Sequence, residues 1–192
     1  VGTLGHAGCF SFFPSKNLAC CGDGGMVIAS DAETDAALRV LRNHGSAIRY
    51  HHSTLGYNSR LDEIQAAIVR VKLRHIDAFS EGRRRAAARY GTHIRRPGAI
   101  LPFEAAGCRH VYHQFTLLTD ERDRLQEALT KAGIASAIYY PVPLHRQEVF
   151  RSGVACRHGN LPASEDAARR VLSLPMFPEI TEEEIQRISD VI

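Results

Sequence analysis

Two rhythms of apolar residues run along this chain. Short aromatic and β-branched runs at residues 8–13 (Gly-Cys-Phe-Ser-Phe-Phe) and 26–30 (Met-Val-Ile-Ala-Ser) predict strands, connected through the glycine-rich Gly22-Asp23-Gly24-Gly25. Asp31 is placed to cap a helix that carries Ala36, Leu38 and Leu41 and stops at Gly45. Residues 45–58 are polar, aromatic and glycine-containing, which predicts a loop too long to be a simple turn. Helical spacing then takes over. Leu61, Ile64, Ile68, Val71 and Phe79 predict the clearest helix, starting near residue 60 with Asn58, Ser59 and Asp62 as capping groups and running towards residue 95, with a break near Gly82. The leucines and isoleucines of residues 61–76 are expected to pack in a core or a dimer contact.

Arg96-Pro97-Gly98 closes that section, and a change of composition there predicts a domain boundary, with residues 1–97 in one domain and 98–192 in the next. Beyond it strands and helices alternate, the mark of an α/β protein. His110 to Thr119 predicts a strand, and Asp120 is expected to cap a helix bearing Leu125 and Leu129 that ends at Gly133. Ile134 to Tyr140 predicts another strand, halted by Pro141 and Pro143, and a helix is expected over 163–172. Thr181-Glu182-Glu183-Glu184 is a capping box opening the last helix. His113 reads as a packed core histidine.

Composition narrows the class. The 192 residues are 44% hydrophobic and 23% charged, enough apolar material for one domain or one domain and part of another. No run of about 18 apolar residues is present to span a membrane. The opening residues, Val1 to His6, lack both signal-peptide character and an initiator Met, so the chain is expected to be part of something longer. The net charge is a mild +3, and the densest basic group is Arg83-Arg84-Arg85 with Arg89 on a helix. A solvated helix face, a nucleic-acid patch and a phosphate site all fit that group, the first most simply. The five cysteines (Cys9, Cys20, Cys21, Cys108, Cys156) have no C-x-x-C spacing, so neither a zinc site nor a disulfide framework is indicated, and reduced thiols in a cytoplasmic protein are expected.

The most informative segment is Phe10-Ser11-Phe12-Phe13-Pro14-Ser15-Lys16-Asn17-Leu18. A lysine leaving an aromatic strand can be desolvated, which favours the free amine that forms a Schiff base. On spacing alone, a solvated surface lysine is the commoner reading. An ordered series of further motifs changes the weight: Gly22-Asp23-Gly24-Gly25-Met26-Val27, Leu41-Arg42-Asn43-His44-Gly45, Gly56-Tyr57-Asn58-Ser59-Arg60-Leu61, Gln65-Ala66-Ala67, Tyr112-His113-Gln114-Phe115, Tyr139-Tyr140-Pro141-Val142-Pro143-Leu144-His145 and Leu174-Pro175-Met176. With the lysine segment, this series resembles the DegT/DnrJ/EryC1/StrS family of sugar aminotransferases over essentially the whole chain. The resemblance implies the fold-type-I architecture of the pyridoxal-phosphate enzymes: the end of the large domain followed by the small C-terminal α/β domain.

Carried over position by position, the resemblance makes Lys16 the residue that holds pyridoxal 5'-phosphate and shuttles protons. Ser11 matches a hydroxyl on the cofactor phosphate. Asn58 matches an amide reaching the phosphate in the neighbouring subunit, which implies a homodimer with shared sites; a plain N-cap is the alternative for Asn58. Tyr139 and His145 match a segment that approaches the sugar, against an ordinary strand-end tyrosine and loop histidine. His44, Arg42 and Arg60 are candidate contacts for a substrate carboxylate or a nucleotide phosphate. No metal is implied. Related sugar dehydratases carry His at the lysine position, so Lys16 favours amino transfer. The implied reaction moves an amino group, with L-glutamate the expected donor, to a nucleotide-linked keto-sugar. In the family the Asp against the pyridine nitrogen, the ring-stacking group and the phosphate-binding turn all precede the lysine, where this chain has 15 residues. An inactive remnant serving as a dimerisation module is therefore the main rival, and a DNA-binding regulator the second.

Overall fold

The computed structural model describes residues 2–151 and 160–192, so Val1 and Cys156 lie outside the described residues. The chain divides into two compact units, Val1–Asp77 and Ala78–Ile192, and the composition change at 96–98 lies inside the second.

In the first unit, strands β1 (Ala7–Ser11) and β2 (Gly25–Ala29) pair antiparallel, with Cys9 opposite Val27 and Phe10 opposite Met26. The two strands expected from the pattern are therefore present, the first one residue shorter and the second shifted by one residue. Helix α1 (Ala32–Leu41) begins where Asp31 accepts the Thr34 N–H at 2.7 Å, as its sequence predicts, yet none of its residues is buried. The expected loop over 45–58 folds on itself. It contains a small hairpin, β3 (Ser46–Ile48) and β4 (His51–His52), and it closes where Gly45, at φ +69°, lies so near Thr54 and Gly56 that a Cβ would strike their backbone.

Helix α2 (Glu63–Leu73) is capped by Asp62, which accepts the Gln65 N–H at 2.8 Å. Asn58 is not the cap: its backbone bridges to Asn43 instead. Of α2 only Val69 is buried, and it packs with Phe12 and Cys20. Ile64 is 75% exposed and Val71 and Leu73 more than half, while Val69 and, partly buried, Leu61 pack in the small core.

The break between α2 and α3 (Ile76–His93) falls at Arg74–His75 and not at Gly82. Gly82 sits inside α3, where a Cβ would come within 2.5 Å of the Pro178 carbonyl oxygen, so the glycine serves a close approach and not an interruption.

The second unit is built on the antiparallel pair β5 (Phe115–Leu118) and β6 (Val171–Leu174), with Phe115 opposite Leu174 and Leu117 opposite Leu172. The strand expected over 110–119 is confined to β5 because Tyr112 takes φ +42° and the carbonyls of Tyr112 and His113 are held by Arg83. Helix α4 (Arg122–Lys131) buries Leu125 and Leu129 and ends before Gly133 at φ +70°. Its N-cap is Glu121, without a side-chain bond, while Asp120 pairs with Arg170 at 2.8 Å. The strand expected over 134–140 is reduced to one bridge, Ala137 to Ser173, beside β6. A single 3-10 turn (Leu144–Arg146) and α5 (Glu148–Arg151) precede α6 (Pro162–Arg170). The helix expected to reach 172 stops at Arg170 because Val171 turns extended and starts β6. Helix α7 (Glu182–Ser189) carries the predicted capping box, Thr181 Oγ1 accepting from Glu184 N at 3.2 Å and Glu184 Oε2 from Thr181 N at 2.8 Å. Tyr90, Phe115, Leu117, Leu129, Leu172 and Ile185 anchor one continuous core, in which Tyr90 and Phe115 stack at 4.7 Å.

Candidate functional site

Lys16 lies on a closed loop. Phe12 N donates to Gly24 O at 2.8 Å and Cys20 N to Phe12 O at 2.7 Å, so the segment from 12 to 20 leaves and returns at one point beside the hairpin. Phe12 and Cys20, 6% and 1% exposed, pin both ends against Val69 of α2. Cys21 N donates to Gln65 Oε1 at 2.8 Å, which ties the loop's exit to α2 through a side chain that the motif series had singled out. Gly24 is needed here because a Cβ would meet Cys20 Sγ and lie 3.0 Å from Leu61. Within this frame Lys16 N donates to Phe13 O at 2.9 Å, and its side chain is half-buried. Ser11, at the end of β1, accepts the Phe13 N–H on its Oγ at 3.3 Å; the hydroxyl proton is thereby directed elsewhere. Burial pushes the Cys20 thiol above its ordinary pKa, so it is a packing group and not a nucleophile.

A second feature of this unit is an open cleft of about 710 Å³ whose lining includes Cys9, Met26, Arg39, Arg42, Asn58 and Arg60. The backbone around Asn58 is fastened to the end of α1: Tyr57 N to Leu41 O at 2.7 Å, Ser59 N to Arg42 O at 3.0 Å and His44 N to Tyr57 O at 2.9 Å. Arg60 Nε donates to Asn58 Oδ1 at 2.9 Å, and Arg39 pairs with Asp35 at 2.8 Å. His44 is exposed at φ +59° and its carbonyl contacts His52 Nδ1 at 2.9 Å. Asn58, Arg42 and Arg60 thus share a cleft that Lys16 and Ser11 do not line.

Tyr139 and His145 belong to the second unit, where they line a mainly apolar hollow of about 830 Å³ with Leu144, Phe150, Leu161 and Val171. Tyr139 is 43% exposed, with Tyr140 against it edge to face. The His145 side chain is only 7% exposed and its Nε2 lies 3.0 Å from Glu165 Oε1, an atom that also accepts from Arg146 at 2.7 Å. These two partners hold the Glu165 carboxyl below its ordinary range, the His145 bond first and the Arg146 bond second.

Sequence reasoning missed Arg83. Its side chain is buried and Nη1 donates to the carbonyls of Tyr112, His113 and Met176 at 3.2, 3.3 and 2.8 Å. Tyr90 donates to Pro175 O at 2.8 Å. The backbone of the Tyr112-His113 and Pro175-Met176 motifs therefore seats α3. Arg84 pairs with Glu104 and Arg89 with Glu182, while Arg85 is exposed, so the arginine group divides between packing, surface ion pairs and the solvated face that composition suggests. A buried arginine inside a basic run gives no sequence signal of its own. Among the described residues no His, Cys, Asp and Glu group could hold a metal, and no helix is long and apolar enough to cross a membrane.

The architecture is that of about half of an aminotransferase. A solved structure of Streptomyces venezuelae DesV with a ketimine intermediate superposes with a TM-score of 0.89 at 42% identity, covering 100% of this chain and 52% of that one. The family model of the DegT/DnrJ/EryC1/StrS aminotransferases matches residues 1–192, and the chain belongs to that family. It is 54% identical over 192 residues to a UDP-N-acetyl-3-dehydro-alpha-D-glucosamine 3-aminotransferase of Acidithiobacillus ferrooxidans, covering all of this chain and 51% of the relative. It is also 49% identical to a pleiotropic regulatory protein of Geobacillus stearothermophilus, again covering all of this chain and 52% of the relative. The chain thus spans about half the length of the curated relatives it matches.

Proposed function

We propose that this chain carries the cofactor-lysine region of an aminotransferase that moves an amino group, from an amino-acid donor such as L-glutamate, to a nucleotide-linked keto-sugar. The observation that carries the reading is Lys16 on a loop locked at both ends, with the Ser11 hydroxyl at the loop's entry. The donor set fits pyridoxal 5'-phosphate in its chemistry: an amine for the aldehyde, and a hydroxyl and an amide for the phosphate. Bound there, the cofactor would supply the carbon that receives the amino group and a ring that takes up the electron pair released at the substrate.

The chain's own residues have distinct tasks. Lys16 Nζ would hold the cofactor covalently and, once displaced by substrate, carry a proton to and from the substrate carbon. Ser11 would donate its hydroxyl to a phosphate oxygen. Asn58 would do so from a separate cleft, which suits the phosphate of a neighbouring copy and hence a homodimer with shared sites. Arg42, which lines the same cleft, and the exposed His44 would meet a substrate carboxylate or nucleotide phosphate. Tyr139 and His145, the latter bonded to Glu165, would contact the sugar. The DNA-binding alternative has little to act with, since Arg83, Arg84 and Arg89 are engaged within the fold.

The test is to mix the purified 192-residue chain with pyridoxal phosphate, reduce with borohydride and map the labelled peptide. The reading expects a visible absorbance and label concentrated on Lys16, both lost in Lys16→Ala. Label scattered over surface lysines would instead favour a non-catalytic interaction module, a role for which the exposed Leu55 and Ile64 supply apolar surface.

A further inference from the structure

Asn58 poses a problem of orientation. The two ends of a side-chain amide are nearly identical in shape and opposite in polarity. With the NH2 end towards a phosphate the residue offers two donors; turned over, it offers a carbonyl dipole that repels the anion. The backbone at 57–59 is fixed by its bonds to residues 41–44, but those bonds leave the terminal rotation of the side chain undetermined.

Arg60 removes that freedom. A guanidinium has five N–H donors and no acceptor, so whichever amide atom lies 2.9 Å from its Nε must be the oxygen. Arg60 is itself placed by the start of α2, since Asp62, two residues on, caps the helix. We propose that Arg60 is a positioning residue, locking the Asn58 amide with its oxygen towards the guanidinium and its NH2 group presented to a phosphate-bearing ligand. This rests on the reading of Asn58 as a phosphate contact. The charged partner also polarises the amide, which makes its N–H groups better donors. Arg39 lines the same cleft but is paired with Asp35, so it carries the same charge without touching Asn58 and serves as the control.

The test is a titration of the 15N-labelled 192-residue chain with inorganic phosphate, following the Asn58 side-chain NH2 pair by NMR. In the unaltered chain the pair is expected to be well separated and to shift with phosphate. Arg60→Gln should narrow the separation and weaken the response about fivefold, the weight of one hydrogen bond. Arg60→Lys should restore most of it, and Arg39→Gln should change it less than about twofold, as expected of a charge already paired at the surface. Equal weakening by Arg60→Gln and Arg39→Gln overturns the proposal, because charge alone would then account for Arg60. A phosphate response that survives Arg60→Gln unchanged overturns the positioning role and leaves the Asn58 reading standing. An Asn58 amide that ignores phosphate in the unaltered chain overturns both.

Discussion

The two units of this chain solve the problem of burial differently. The second has one continuous core running from Ala86 to Ile188, into which α3, α4, α7, β5 and β6 all place side chains. In the first, the buried cluster among the described residues is Phe12, Cys20 and Val69, and α1 buries nothing. Yet Lys16, Ser11, Asn58, His44 and Arg60 all stand in the unit with the small core. What holds them is backbone bonding at loop ends and glycine close approaches, as at Gly24 and Gly45, more than apolar packing. The large core and the candidate cofactor residues thus lie in different parts of the sequence, and a substitution should report on one without the other.

The sharpest way to break that contrast is Arg83→Met. Removing the guanidinium leaves the carbonyls of Tyr112, His113 and Met176 without their donor inside the second unit. A loss of about 3 kcal/mol is expected, in the range for breaking a buried charged network. Residue-resolved amide exchange should show lost protection throughout β5 and β6 with the β1–β2 pair unchanged. If the β1–β2 amides lose protection equally, the chain is one cooperative body and the contrast is wrong.

Much of this was legible in the sequence wherever the signal was local. Asp31, Asp62 and Thr181 cap helices because short acceptor side chains sit one residue before helical runs, and Gly133 ends a helix because it reaches positive φ without cost. The failures were non-local. Nothing near His110 announces that an arginine some thirty residues earlier will seize the carbonyls of Tyr112 and His113 and shorten the strand. Nothing near Gly82 announces Pro178 on its far side. At the candidate site, the resemblance carried by the ordered motifs pointed to Lys16, Ser11 and Asn58; the bond from Arg60 to Asn58 and that from Glu165 to His145 needed three dimensions.

Capping supplies a middle-sized test, because the same chemistry occurs in both units. Thr181→Ala removes the Oγ1 acceptor of the α7 box, and since Ile185 and Ile188 sit in the core, the whole second unit should lose about 1 kcal/mol in urea unfolding. Asp31→Ala removes an equivalent bond from α1, which has no buried residue to transmit the loss. Faster exchange confined to the first turn of α1 is expected, with no shift in the unfolding midpoint. A midpoint shift as large as that of Thr181→Ala would mean that α1 is coupled to a core after all.

Acid should separate the units most gently. In the second unit Glu165 is held below its ordinary range by His145 and Arg146, Asp166 by Arg170, and Glu104 by Arg84. In the first unit Asp31 is lowered by its bonds to Thr34. A depressed carboxyl binds its proton more weakly in the folded chain than in the unfolded one. Its contribution is therefore complete above the ordinary carboxylate range and disappears as pH falls through the lowered value. Stability of the second unit should accordingly decline between about pH 5 and 2, more than that of the first. Glu165→Gln should flatten part of that decline while changing little at neutral pH, the smallest of these effects because the carboxylate is partly open to solvent and screened by salt. Urea midpoints measured across that pH range decide it: a variant whose acid profile overlays the parent would show that the His145–Glu165–Arg146 cluster adds nothing to the second unit's hold on its fold.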